Sequence, residues 1–133
     1  MGNYKPTPPP PTQHKVATLK VVEKQLPTNY IKGAFSAPSQ SDADFYAMRV
    51  TMDILQWRLF EEVRTKRNLS YAPAAGFDNQ LANRGFIYVT AVKADTTIKV
   101  MLGEMKKLET EPVSAKDLKN RIALFLTNYY LRN

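Results

Sequence analysis

Hydrophobic positions along this chain change their period several times, and each change marks an element. VATLKVV at 16–22 is rich in β-branched and aliphatic residues and reads as a strand. LPTN follows as a turn, and YIKGAFSAP at 30–38 reads as a second strand that could pair with the first as a hairpin. The period then lengthens: Phe45, Met48, Met52, Leu55, Leu59 and Val63 recur at three- and four-residue spacing, which predicts one long amphipathic helix. Ser41 is its expected N-cap, Asp42 and Asp44 fall in its first turn, and its end is expected near Asn68. SYAPAAGFD and, at 84–94, RGFIYVTAVKA read as two more strands joined by the turn-rich DNQLANRG. In the later strand Phe86, Tyr88 and Thr90 alternate with Ile87, Val89 and Ala91, so both faces are apolar enough for an interior position. Asp95 is the expected cap of a second helix with the stripe Ile98, Met101, Leu102, Met105 and Leu108. Ser114 with Asp117 forms the expected capping box of a third, whose stripe is Leu118, Ile122, Phe125 and Tyr129. That helix runs to Asn133 with neither glycine nor proline after it, which reads as a fold cut short.

The order β-β-α-β-β-α-α predicts an α+β layer, an antiparallel or mixed sheet covered by helices on one face. Met48, Met52, Met101 and Met105 sit on the helical stripes and are expected to pack. Phe77, Phe86 and Tyr88 could line a groove, but aromatic strand residues are more often core, and that is the expectation for all three. Trp57 lies one residue off its stripe and marks an edge or interface. Five of the nine prolines fall at Pro6 and Pro8 to Pro11, so residues 1–13 read as a linker or arm and 14–133 as the folded domain. A length of 133 residues fits one domain with a real core.

Composition narrows the chemistry. There is no cysteine and one histidine, His14, so disulfides, thiolate metal sites and cysteine nucleophiles are excluded, and a zinc site is hard to assemble from this chain's own side chains. No run of 18 apolar residues could span a bilayer. Nineteen basic against twelve acidic residues give a net charge of +7, but the densest basic cluster, RLFEEVRTKR, is interrupted by Glu61 and Glu62. With no Gly-rich or basic-aromatic stripe beside it, the charge reads as solvated faces, Lys66 and Arg67 included, and nucleic acid is disfavoured as a partner.

The informative stretch is LQWRLFEEVRTKRNLSYAPAA at 55–75, a helix ending in a basic cluster and leading into a strand that begins with tyrosine. RLFEEVRTKRNLSY closely resembles a segment of the pitrilysin-type zinc peptidases, the group that includes insulinase and mitochondrial processing peptidase, in which an arginine and a tyrosine stand seven residues apart. In this sequence they are Arg64 and Tyr71. The resemblance extends through YIKGAFSAPSQSDADFYAM before the segment and EPVSAKDLKNR after it, from Leu26 to the end. The small or glycine-rich residues frequent before the RLF-like element are Gln56 and Trp57 here, and the final helices of a complete half are missing.

Members of that family hold zinc through HxxEH and a distal glutamate in one half of a duplicated α+β architecture. This chain has neither, and resembles the other, metal-free half. The resemblance therefore implies no catalytic or metal-ligating residue in this chain, Arg64 and Tyr71 as substrate-binding residues, zinc in a partner half or subunit bearing HxxEH, and an extended peptide as substrate. Arginine offers a rigid multi-donor guanidinium and tyrosine a phenolic donor, both suited to peptide carbonyls. The bland reading of each stands beside this: an arginine in a last helical turn favours the helix dipole, and a tyrosine heading a strand follows β propensity. A catalytically inactive scaffold or peptide-binding member of the same family is the alternative, and an exposed sheet edge could also pair copies into a homo-oligomer.

Overall fold

The computed structural model describes residues 16–78 and 83–132. The proline-rich arm, His14 and the middle of the turn before residue 83 lie outside the described residues. The elements are β1 (Asn29–Ser36), α1 (Phe45–Leu59), a π-helical turn (Phe60–Thr65), β2 (Ala74–Phe77), β3 (Arg84–Ala91), α2 (Ala94–Thr110) and α3 (Ala115–Arg132). The three strands form one antiparallel sheet in the order β1-β3-β2, so β3 takes the interior position its two apolar faces predict. Among the described residues no helix is long and apolar enough to cross a membrane.

The pleat decides which side chains meet the helices. On β3, Ile87, Val89 and Ala91 are buried toward α1 and α2, opposite Gly33, Ile31 and Asn29 of β1. They close a core with Met52, Leu55, Leu59, Val63 and Met101, in which Leu59, Val63 and Val89 are wholly buried. Met48 and Met105 pack against its rim, as the helical stripes predict. Phe77 reaches the same core from β2, with its ring 5.5 Å from that of Phe45. Phe86 and Tyr88 do not: strand alternation turns them to the sheet's other face, where they are half-buried, and Lys32 lies 5.2 Å over the Phe86 ring.

Four further expectations are corrected. VATLKVV forms no strand; residues 16–26 run exposed, with Leu19 82% accessible, because strand propensity without a partner edge provides no hydrogen bonds. Ser41 does not cap α1. The Asp42 carboxylate turns back to accept from the Ser39 amide at 2.5 Å, a tight turn follows, and the helix starts at Phe45 with Asp44 in the cap position but making no capping bond. Asp95 likewise lies inside the first turn of α2, whose cap position is Lys93. The inward stripe of α2 also differs in phase: Thr97 and Glu104 are buried and Leu102 is 52% exposed. Glu104 tolerates burial because Lys107, one turn on, donates to it at 2.7 Å.

Ser114 caps α3 as its sequence predicts: the Asp117 amide donates to Ser114 Oγ at 3.1 Å, and the Asp117 carboxylate accepts from the Ser114 hydroxyl at 2.7 Å rather than from the Ser114 amide of a full capping box. Cationic and aromatic contacts hold α3 on α1. Arg49 lies 5.2 Å over Phe125, and Arg121 lies 4.9 Å over Trp57, which places Trp57 at this junction. Between the two helices runs an apolar groove of about 740 Å³, lined by Tyr46, Val50 and Ile54 on one side and by Leu118 and Ile122 on the other.

Two glycines make opposite predictions. A Cβ on Gly85 would land within the ring of its cross-strand neighbour Phe35, so Gly85→Ala should lower stability by about 1–3 kcal/mol through overpacking. A Cβ on Gly103, in the interior of α2, would meet nothing within 4 Å, so Gly103→Ala should raise stability by about 0.5–1 kcal/mol through helix propensity. Urea unfolding of the two variants, and of Gly85→Ala combined with Phe35→Leu, checks both signs.

Candidate functional site

The candidate site is built where α1 passes into its π-helical turn. The buried stripe of α1 continues through Leu59 to Val63, which anchors the turn to the core and leaves the residues between them facing outward. Over the turn the backbone widens: the Lys66 amide donates to the carbonyl of Glu61 at 2.8 Å, a five-residue step in place of four. The helix is then closed by a pair of bonds, Asn68 N–H to Arg64 O at 3.0 Å and Leu69 N–H to Val63 O at 2.8 Å. Asn68 makes this possible by adopting φ 47°, a left-handed conformation that asparagine accepts more readily than most residues. The chain reverses there and runs through Ser70 and Tyr71 toward β2.

That reversal brings Arg64 and Tyr71 together. The guanidinium carbon of Arg64 lies 4.0 Å from the centre of the Tyr71 ring and 4.8 Å from the centre of the Phe60 ring. Tyr71 is 77% exposed and Phe60 37%, so the group stands at the surface. Stacking of this kind is worth about 0.5–1 kcal/mol at an exposed site, enough to bias the arginine's rotamer. A contact of this kind uses the ring faces, so it consumes neither the hydrogen-bonding capacity of the guanidinium N–H groups nor that of the phenolic hydroxyl. Among the described residues no carboxylate pairs with Arg64.

The neighbouring cations are arranged differently. Lys66 and Arg67 are exposed, as the reading of solvated charges expects, and both donate to the carboxylate of Glu62, Lys66 at 2.5 Å. These bonds, first from Lys66 and then from Arg67, hold the Glu62 carboxyl below its ordinary value of 4.5. Glu62 thereby engages both cations that follow the turn, while Arg64 lies beside the rings.

Two contributors escape a reading of the sequence alone. Phe60 falls off the apolar stripe and looks like a stray surface aromatic, yet it provides the second ring under Arg64. Gln56 stands out only as a departure from a family pattern, yet its amide joins α1 to β2. Its Nε2 donates to the Pro73 carbonyl at 3.1 Å, and its Oε1 accepts from the Ala75 amide at 2.6 Å. A glutamine on a helical surface carries no mark of such a long-range bond.

With this geometry in place, comparison with known proteins identifies the class. A family model described as the peptidase M16 inactive domain matches residues 2–125, and the chain belongs to that family. Among solved structures it is similar to the peptidase M16 inactive domain from Pseudomonas fluorescens, with a TM-score of 0.70 and 20% identity over 76% of this chain and 26% of that one. The chain thus spans about a quarter of that protein, and at this identity the likeness supports the α+β fold. No curated protein matches.

The Glu62 cluster yields a pH prediction. Because folding lowers the pKa of Glu62, its contribution is present above about pH 4.5 and drains away as pH falls through the lowered value. Glu62→Gln should therefore flatten the acid limb of the stability curve, by no more than about 1 kcal/mol for pairs this close to solvent. Urea midpoints of both forms between about pH 3 and 7 would reveal it, and parallel curves would rule it out.

Proposed function

We propose that this chain forms the substrate-gripping wall of a zinc-dependent peptidase, acting with a zinc-bearing half that carries HxxEH. The observation that carries the reading is the Arg64 and Tyr71 pair itself, with the guanidinium 4.0 Å from the centre of an exposed tyrosine ring. The chain's own residues do not fit a zinc site: it has one histidine and no cysteine, and its described residues offer no cluster of three or more His, Asp or Glu. On this reading the metal is held by the partner half, and no chemical step is assigned to this chain.

Its task is positioning. An extended peptide presents carbonyl oxygens along its length, and hydrolysis needs one of them held in register. Arg64 binds main-chain carbonyls through its fixed fork of N–H donors, and the Tyr71 hydroxyl donates to the carbonyl oxygen that gains negative charge. Pre-stacking of the two side chains lowers the entropy lost when peptide binds. The outer edge of β1 is unpaired among the described residues, and a strand from the zinc-bearing half, or from a second copy, would add there.

The test uses the intact protein together with its zinc-bearing half and an unstructured fluorogenic peptide. Arg64→Ala and Tyr71→Phe should each lower kcat/KM at least about tenfold, close to 1.4 kcal/mol of transition-state stabilisation, while melting temperature stays within a few degrees. Wild-type rates in both variants would remove the assigned roles. Absence of cleavage by the wild type would favour the scaffold reading instead.

A further inference from the structure

We infer that Gln56 is a positioning residue, setting the register of the segment that carries Tyr71 against the helix that carries Arg64. The inference rests on the reading of Arg64 and Tyr71 as the substrate-contact pair, and deepens it.

Gln56, Phe60 and Arg64 succeed one another at four-residue steps along α1 and its π-helical turn, so they share one side of the helix. The segment from Tyr71 to Ala75 runs along that side. Its lower end is fixed by Gln56, through Pro73 and Ala75, and its upper end by the stack of Arg64 on Tyr71. Held to one helix at Tyr71, Pro73 and Ala75, the segment has little freedom to slide.

The chemistry of the contact explains why glutamine suits it. β2 is an edge strand, paired with β3 on one side only. Pairing of Ala74 with Tyr88 directs the Pro73 carbonyl and the Ala75 amide away from β3. The Gln56 side chain presents one N–H and one C=O to these two groups, as a residue of a neighbouring parallel strand would. It thereby closes that stretch of the edge and blocks a one-residue slip, which would carry Tyr71 to the opposite face. The half-buried setting keeps water from competing freely for the same two bonds.

The test needs a readout that global destabilisation would not move. Gln56→Met retains length and apolar stem while removing both hydrogen-bonding groups. In the intact assembly with its zinc-bearing half, Gln56→Met should lower kcat/KM at least fivefold alone, and less than twofold in a Tyr71→Ala background where there is no ring left to place. Equal losses in both backgrounds would mean that Gln56 supports folding only, and would overturn the inference. A second readout is independent of cleavage: the Arg64 δ-proton resonances, in arginine-labelled assembly, are displaced upfield by the Tyr71 ring, with Tyr71→Ala giving the size of the effect. Gln56→Met should halve that displacement or more. An undiminished displacement overturns the positioning role whatever the kinetics show. A halved displacement with unchanged turnover upholds the positioning of the pair and overturns the substrate reading on which it rests.

Discussion

The wholly buried seam of Leu59, Val63 and Val89 is the constraint from which the rest of the molecule follows. It locks the junction of α1 and its π-helical turn to the central strand, and side chains of this kind each cost about 2–5 kcal/mol to truncate in a packed core. Because Leu59 and Val63 must point inward, Phe60 and Arg64 must point away from that seam. Because β3 is fixed against the same helix, β2 and the segment leading into it arrive beside Phe60 and Arg64. The surface pair is thus a consequence of the core.

Around that seam the sequence shows its architecture where one periodic pattern meets one uncontested partner. The stripe from Phe45 to Val63 predicts both the helix and its buried face, since five turns of regular spacing leave no competing phase. The two apolar faces of β3 predict its interior position, and Ser114 with Asp117 predicts the start of α3 from a purely local bond. The pairing of Arg64 with Tyr71 is legible only through resemblance, since neither residue type is unusual where it stands.

What escapes the sequence is what depends on partners or on small phase changes. Val16 to Val22 have strand propensity, but a strand exists only when another edge accepts it, and β1 pairs with β3 alone among the described residues. Ser41 reads as the cap of α1, but its hydroxyl bonds that of Ser39 at 2.9 Å while the Asp42 carboxylate takes the Ser39 amide, so local turn bonds win over the cap. Glu104 faces inward because Lys107 satisfies it, while Leu102 faces out, a rotation of the α2 stripe that a hydrophobic count cannot foresee. The π-helical turn has no signature in FEEVRT, and the Gln56 bridge spans 17 and 19 residues, beyond the reach of local pattern.

The central claim is that peptide passes over Arg64 and Tyr71 on its way to hydrolysis elsewhere, and photochemical labelling tests it most directly. A substrate peptide carrying a photoreactive phenylalanine analogue beside its scissile bond would be bound to the intact assembly, with turnover stopped by chelation, then irradiated and mapped by mass spectrometry. The account predicts a crosslink within the segment from Phe60 to Tyr71 of this chain. Labelling confined to the zinc-bearing half, or to the groove between α1 and α3, would contradict it.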